Sequence, residues 1–185
     1  MRLYSESGNI NLKNSPFLVY EGINAYKDIN LDRIAVQGDV SAEWGQVTAK
    51  ECMLEKVTAY RNVDLADCRV KDVCSLWGSV FAKKIQGTHP TEANSIIAYK
   101  DIELNQFTVD ERVQAQWGKV TAQNSKINRI SAYNDIEVTN SDVSNLNSLW
   151  GSITIRSSDG KTRQVNDVAA HKEVYLENCK VHELY

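Results

Sequence analysis

Apolar and polar residues alternate along this chain in short groups that recur about every 17 residues. In each group an apolar residue is followed by any residue and then by Ala or Ser. The spacings between successive groups are 17, 17, 16, 23, 17, 17, 16 and 22 residues. The groups begin at Ile23, Val40, Val57, Val73, Ile96, Val113, Ile130, Leu146 and Val168. A fixed period of this length indicates a repeat architecture, in which each repeat is one stacked unit.

Two further apolar triplets follow the first in every repeat, and all three have the in-out-in pattern of a β-strand. The second begins six or seven residues later, with the two offsets alternating, at Ile29, Val47, Val63, Val80, Ile102, Val120, Ile136, Ile153 and Val174. The third ends seven residues after each of those, at Val36, Leu54, Val70, Val109, Ile127, Val143 and Val181, with Gly87 and Gly160 in the remaining two repeats. Three short strands per coil are predicted.

These triplets predict an all-β fold, a single-stranded parallel β-solenoid with triangular coils of 16–17 residues. Stacking at about 4.8 Å pairs each strand with its equivalents above and below and buries a continuous column of Val, Ile, Leu and Ala. The N-terminal segment joins through residues 10–12 and 17–19, which gives about ten coils. Because the small residue follows the aliphatic one, the reverse of left-handed hexapeptide helices, we expect a right-handed solenoid.

The order of the spacings repeats, so residues 1–185 form one domain with an internal duplication of 23–95 and 96–167 and a last coil at 168–185. Each half ends in a longer connection, near residues 86–94 and 157–167, which contains Gly, Pro or Ser-Asp-Gly turn residues. We expect both loops on one side of the rod, where loops commonly carry function.

Aromatic residues alternate strictly between two kinds of coil. The tyrosines come directly after the Ala of every second coil, at Tyr26, Tyr60, Tyr99 and Tyr133, with His171 in the fifth such place. The intervening coils contain Trp-Gly, at Trp44, Trp77, Trp117 and Trp150. Basic or amide residues follow the tyrosines and His171, at Lys27, Arg61, Lys100, Asn134 and Lys172. One edge of the rod is therefore predicted to alternate Trp with cations, a cation–π ladder of about 0.5 to 1 kcal/mol per exposed contact.

Two interpretations of this edge stay open. It is either a ligand-binding strip that stacks on sugar rings or engages an extended acidic partner, or a structural corner. In the structural case the indoles cap the turn where the extra residue of each seven-residue offset is absorbed, and the glycine after each Trp allows the turn.

Candidate catalytic and metal-binding groups are sparse. Carboxylates or amides precede the second strand of alternate coils, at Asp28, Asn62, Asp101, Asp135 and Glu173, about 10 Å apart, which suits turn formation better than acid–base pairing. Cys52 and Cys68 occupy one inward slot of adjacent coils and are expected to be buried free thiols. We expect no catalytic residues, no metal and no cofactor, hence a protein that is not an enzyme.

Composition disfavours two classes of partner, nucleic acid and the membrane interior. The net charge of −3 and a pI near 5.7 disfavour nucleic acid. No apolar run is long enough for a membrane span, and the first residues lack the layout of a signal peptide, so a cytoplasmic location is expected.

The coil length, the absence of a signal peptide and the sparse covering of the first and last coils resemble the bactofilins, bacterial cytoskeletal proteins. The resemblance implies a right-handed triangular β-helix that polymerises end to end. Bactofilin cores are richer in glycine and lack the alternating Ala-Tyr and Trp-Gly coils. We therefore expect a structural or interaction solenoid that self-associates or binds another protein. The alternatives are a carbohydrate-binding module using the aromatic edge, or a polysaccharide-active enzyme, which requires clustered carboxylates or basic residues in a cleft.

Overall fold

The computed structural model describes residues 1–14, 18–87 and 90–185, and these residues form a parallel β-solenoid of about ten turns. Two sheets run the length of the rod. The ten-stranded sheet contains one short strand per coil: Ile10–Lys13 (β2), Ile29–Asp32 (β5), Val47–Lys50 (β7), Val63–Ala66 (β9), Val80–Lys83 (β11), Ile102–Asn105 (β13), Val120–Gln123 (β15), Ile136–Thr139 (β17), Ile153–Arg156 (β19) and Val174–Glu177 (β21).

The twelve-stranded sheet of the described residues contains the longer strands. They are Arg2–Ser5 (β1), Val19–Tyr20 (β3), Gly22–Ala25 (β4), Ala35–Ala42 (β6), Met53–Ala59 (β8), Arg69–Ser75 (β10), Glu92–Ala98 (β12), Thr108–Ala115 (β14), Lys126–Ala132 (β16), Asp142–Ser148 (β18), Arg163–Ala170 (β20) and Cys179–Leu184 (β22). Every pairing is parallel, and like positions of successive coils stack, as Val57 does on Val73. The register shifts by one residue within the pairings of β6 with β8 and of β14 with β12 and β16.

The third and first triplets are not separate strands, which corrects the expectation of three strands per coil. From β6 onward they run together as one long strand, in which two residues separate two inward ones, or three residues in β6 and β14. In β8 the inward residues Leu54 and Val57 flank Glu55 and Lys56. Because side chains of a strand normally alternate, two successive outward residues mark a corner within the strand. A third side of the coil is thus made without breaking the hydrogen-bond ladder.

One continuous core fills the column. It runs from Tyr20 to Val168, and the first residue of each first triplet from Ile23 onward is buried. The N-terminal coil contains a first triplet that the sequence analysis missed, because Leu3 pairs with Ile23 and Ser5 with Ala25. Ile10 pairs with Ile29 as expected. Of the predicted third triplet at 17–19, residue 17 lies outside the described residues, and Val19 pairs with Ala35.

A second kind of corner joins each short strand to the next long strand, and we call it the left-handed corner. Its first residue has a positive φ of about 50° in eight of the described coils: Asn14, Arg33, Glu51, Asp67, Gln106, Asn124, Asn140 and Asn178. In all of these except Asn178 the backbone N–H of this residue donates to a carbonyl of the following coil, as from Glu51 to Ala66 at 2.9 Å. This backbone hydrogen bond recurs at the corner, which has one length in these coils.

The two longer coils open at this left-handed corner, which corrects the placement of Gly87 and Gly160. Counting seven residues from the second triplet put both glycines in the core. The loops are instead inserted before the third triplet, whose inward residues are Ala93, paired with Val109, and Val165, paired with Val181. Gly160 lies in open space with φ +78°.

Candidate functional site

The aromatic edge lies at the corner between each long strand and the following short strand. Eight rings form an unbroken row there: Trp44, Tyr60, Trp77, Tyr99, Trp117, Tyr133, Trp150 and His171. Neighbouring planes are tilted by 42° to 54°. The row confirms that the two kinds of coil meet on one edge.

The rings are grouped in couples. Each Trp lies 4.6 to 4.7 Å from the ring of the next coil, whereas each Tyr lies 6.4 to 6.5 Å from the following Trp. The row thus repeats every two coils. Each indole remains between 52% and 55% exposed, so about half of its surface faces solvent. Tilted pairs of this kind contribute about 0.5–1.5 kcal/mol each beyond the area that they bury.

Ring stacking replaces the expected cation–π ladder. The sequence analysis alternated Trp with Lys or Arg, but each Trp packs on a Tyr or His ring of the next coil. Within the described residues the one cation–π contact is Arg156 over Tyr175, on another face of the rod. The basic side chains Lys27, Arg61, Lys100 and Lys172 lie exposed beside the rings. They form no salt bridge within the described part of the chain, in contrast to Lys71 with Glu55.

Glycine makes this corner by close approach and not by a positive φ. A Cβ on Gly118 would lie 2.3 Å from the carbonyl carbon of Lys100, and the other Trp-Gly coils have the same contact with the coil before. Gly8 occupies this position in the first coil, where the nearest atom is the Ser5 hydroxyl at 3.3 Å. The stacked backbones therefore exclude a side chain at this position in each Trp-Gly coil.

The row of carboxylates and amides has the turn-forming role that its spacing predicted. Each Trp-Gly coil has one more residue at this corner than the coil before it, hence one additional backbone N–H. Asp28 accepts the N–H of Gln46 at 3.0 Å, and Asp101 accepts that of Lys119 at 2.9 Å. Asn62 and Asp135 do the same for Ser79 and Ser152. These side chains therefore satisfy the additional backbone N–H where coils of unequal length stack.

The first coil makes the same corner without an aromatic ring. Ser7 precedes Gly8 there, in the place that Trp takes before glycine in later coils. The N–H of Gly8 donates to the Ser5 hydroxyl, and the Gly8 carbonyl accepts the N–H of Lys27 at 3.2 Å. The same carbonyl contact links Gly45 to Arg61. The turn therefore does not require an indole.

The two loops lie on a different edge, and the coils with β14, β16 and β18 separate them. Each loop is anchored by the residue at the left-handed corner of the coil before it. Asp67 accepts the N–H of Ile85 at 2.8 Å, and Asn140 accepts that of Ser158 at 2.8 Å. Burial of Asp67 opposes ionisation, but these backbone hydrogen bonds outweigh it and lower the pKa of the carboxyl.

Between the loops is an open groove of about 570 Å³, which contains charges of both signs. Lys84, Lys126 and Lys161 line it together with Arg163. The Arg163 guanidinium is already used, because it contacts Asp142 at 2.5 Å and also binds Asp159. The loop edge thus has a mixed and partly neutralised surface, unlike the aromatic edge.

Cys52 and Cys68 are buried free thiols, as predicted. Each closes the left-handed corner by donating to the carbonyl two residues earlier, Lys50 at 3.1 Å and Ala66 at 3.2 Å. Ser125 makes the same bond in its coil. The contact with Cys52, together with burial, raises the pKa of the Cys68 thiol well above its usual range.

The other chemistry is sparse in the described residues. Among them, no group of three or more His, Cys, Asp or Glu side chains is placed to hold a metal ion. Of the histidines, His171 ends the aromatic row, His182 lies in β22, and position 89 is outside the described residues. The described chain also contains no helix with the length and apolar character that crossing a bilayer requires.

No family model matches the chain, and no significant match was found among curated proteins or solved structures.

Proposed function

We propose that this protein is a non-catalytic interaction module that binds its partner along the aromatic edge. The observation that carries the proposal is the row of eight rings, half exposed at each indole and flanked by cations that form no salt bridge in the described chain. Large aromatic rings and Arg are enriched where proteins bind partners and scarce on idle surfaces. A stacked β-scaffold holds them in fixed order.

The exposure of the rings argues for binding over a capping role. A capping role needs the ring for the turn, yet Ser7 takes the place of Trp in the first coil and its corner closes with the same hydrogen bonds. Gly and Asp or Asn, not Trp, make the contacts that shape the corner. Contiguous exposed apolar surface that the fold does not need is a mark of an interaction site.

A displayed library of linear peptides and a panel of glycans test the proposal. Both are offered to the wild type, to a Trp77→Ser and Trp117→Ser double variant, and to Tyr175→Ser, whose ring is 52% exposed on another face. We expect ligands that the double variant loses and the Tyr175→Ser control keeps. Ligands that survive in the double variant, or none from either collection, would overturn the proposal.

Carbohydrate is the alternative ligand class. Sugars stack on the open face of an aromatic ring, and the exposed indoles favour that chemistry. In this row, however, each face towards the next coil is close to another ring, at 4.6 to 6.5 Å between centroids. A glycan that quenches tryptophan fluorescence in the wild type and not in the double variant would establish this alternative.

A second candidate function is end-to-end self-assembly, as the resemblance to bactofilins implies. Its specific observation is the last coil, where Leu176 is 36% and Leu184 59% exposed, whereas Leu65 in a central coil is 2% exposed. Within the described residues no strand pairs with the outer edges of β21 and β22, and such edges recruit further strands. Light scattering over a wide concentration range tests this: growth into rods supports it, and a concentration-independent monomer excludes it.

A further inference from the structure

We propose that the occupant of the aromatic edge is a polyproline II segment with an acidic residue at every third position. This inference rests on the proposed function and names the partner chemistry of the same site. It comes from three properties of the edge: its repeat length, its hydrogen-bond donors and its charge.

The repeat length of the edge matches one turn of a polyproline II helix. The ring couples recur every two coils, which is about 9.6 Å at the usual strand separation. A polyproline II helix has three residues per turn and rises about 9.3 Å, so one of its faces presents every third residue at nearly this interval. Over the four couples the mismatch adds up to about 1 Å, which side chains can absorb.

An extended β-strand does not match. Its side chains return to one face every second residue, about 6.8 Å, so successive side chains of a strand laid along the edge fall out of step with couples that recur about every 9.6 Å. An α-helix presents a face every 5.4 Å and is also out of step. Of the regular peptide conformations, polyproline II is the one that fits.

The edge offers donors to a backbone that lacks internal hydrogen bonds. Polyproline II carbonyls have no partner within their own helix, and an indole N–H is a donor only. At this corner the side chains that donate a hydrogen bond within the described chain are those of Ser75, Asn134 and Ser148. Within the described chain no such hydrogen bond comes from an indole. The indole N–H groups therefore remain available to ligand carbonyls, and the half-exposed indoles offer apolar surface to proline rings.

The charge of the edge selects the acidic residues. Beside the rings the outward cations are Lys27, Arg61, Lys100 and Lys172, none of which forms a salt bridge in the described chain, and the outward carboxylates include Glu6 and Glu43. The next residues include Asp28, Asp101 and Asp135, each with an oxygen engaged by the backbone of the following coil, and the exposed Glu173. The free cations of the edge therefore lie at four places and its free carboxylates at three. Cations recur at the two-coil interval at Lys27, Arg61 and Lys100, and Asn134 takes the next place, so carboxylates at every third ligand residue meet a cation in three successive turns.

A second copy of the chain is a poorer occupant of this edge. Two copies facing each other along their aromatic edges bring one row of cations against the other, and opposed like charges are unfavourable. A partner with complementary charge has no such cost.

Fluorescence anisotropy with a labelled peptide of four Pro-Pro-Glu repeats tests the inference on the whole protein. We expect saturable binding, no binding of a Pro-Pro-Lys peptide, and weaker binding of a peptide with the same composition but all glutamates at one end. Trp77→Ala should weaken binding at least about tenfold, as at aromatic hot spots, and the control Tyr175→Ala should not. Equal binding of the Glu and Lys peptides, or full binding to Trp77→Ala, would overturn the inference.

Charge reversal gives a second test that does not disturb the rings. Arg61→Glu combined with Lys100→Glu should weaken binding of the Pro-Pro-Glu peptide about tenfold at low salt and less at high salt. Lys126→Glu, on the loop edge, is the matched control and should leave binding unchanged. Equal effects of the two changes would contradict the proposed position of the ligand.

Failure of this inference can be told apart from failure of the proposed function. If the displayed library yields peptides that need Trp77 and Trp117 but lack a three-residue repeat, the edge binds peptides and the polyproline assignment is wrong. A glycan with the same dependence also leaves the edge as the site and replaces the ligand class. If neither collection nor the Pro-Pro-Glu peptide binds, both proposals are wrong.

Discussion

The two corners that lead into and out of each short strand turn the chain in different ways. The left-handed corner is closed by backbone: a residue with positive φ donates to the following coil, and a Cys or Ser hydroxyl or thiol often closes the turn behind it. The aromatic corner alternates between two lengths and is held by Gly and by Asp or Asn. Because those small residues shape it, the large rings beside them are left free for another role.

The largest loss of stability is expected on substitution of the glycine at the aromatic corner. Gly118→Ala should lower the free energy of unfolding by about 3 kcal/mol, since its Cβ would meet the Lys100 backbone at 2.3 Å. Gly8→Ala is the matched control, because its nearest neighbour is a side-chain hydroxyl at 3.3 Å. Urea denaturation of both variants measures the effect. Equal losses would show that conformational freedom, and not contact between coils, requires the glycine.

At the left-handed corner the backbone angle should matter instead. Asn124→Val should cost about 2 kcal/mol, because a β-branched residue strongly disfavours the φ of 49° found there. Asn124→Gly should stay within about 0.5 kcal/mol of wild type, since glycine accepts this angle freely. Thermal unfolding followed by circular dichroism separates the two. Similar costs for Val and Gly would point to a lost Asn contact and not to strain.

Removing a ring should have a smaller effect on stability than Gly118→Ala. Trp117→Ala should cost about 2 kcal/mol, from its two ring contacts at 4.6 and 6.5 Å and from the half of the indole that is buried. The same unfolding measurement compares it with Gly118→Ala. A loss of 3 kcal/mol or more would make the indole a structural cap of the corner and would remove the argument for binding.

The smallest loss of stability at neutral pH is expected on substitution of Asp67, the residue of the left-handed corner that accepts hydrogen bonds from the first loop. The folded-state pKa of Asp67 is lowered, so its stabilisation is complete above the unfolded value of about 3.9 and is lost as pH falls through the folded value. Asp67→Asn should cost about 1 kcal/mol at pH 7. It should also lose less stability than wild type on acidification below pH 4. Parallel acid titrations would contradict this role of the carboxylate.

The sequence predicted the coil, its period and the aromatic edge because buried in-register stacking demands like residues at like places. It missed the first triplet at Leu3 and Ser5, although both residues obey the apolar-x-small rule. The third triplets at Ala93 and Val165 were misplaced because a fixed offset cannot allow for an inserted loop. Both were detectable from the pattern.

The left-handed corner had only a partial signal in composition, because five of its eight positive-φ residues are Asn or Asp, the types that adopt this angle most readily. Asn occurs there, but so do Arg33, Glu51 and Gln106, which rarely adopt positive φ elsewhere. The coil imposes this angle through contacts with its neighbours, so it follows from the stack and not from the residue. The pairing of the rings could not be predicted either. Sequence order allows each Trp to pack on a Lys or on a Tyr of the next coil, and the offset between the coils determines which of the two it contacts.

The offset between the first and second triplets alternates between six and seven residues, and this alternation limits how such a rod can change length over evolution. An Asp or Asn of one coil accepts a hydrogen bond from the additional backbone N–H of the next coil. Insertion of an odd number of coils would place two coils of the same kind side by side, and this hydrogen bond would be lost between them. Growth or loss should therefore occur in whole pairs of coils, and each pair adds one Trp and one Tyr. Homologues would then differ by steps of about 33 residues, twice the period of the chain.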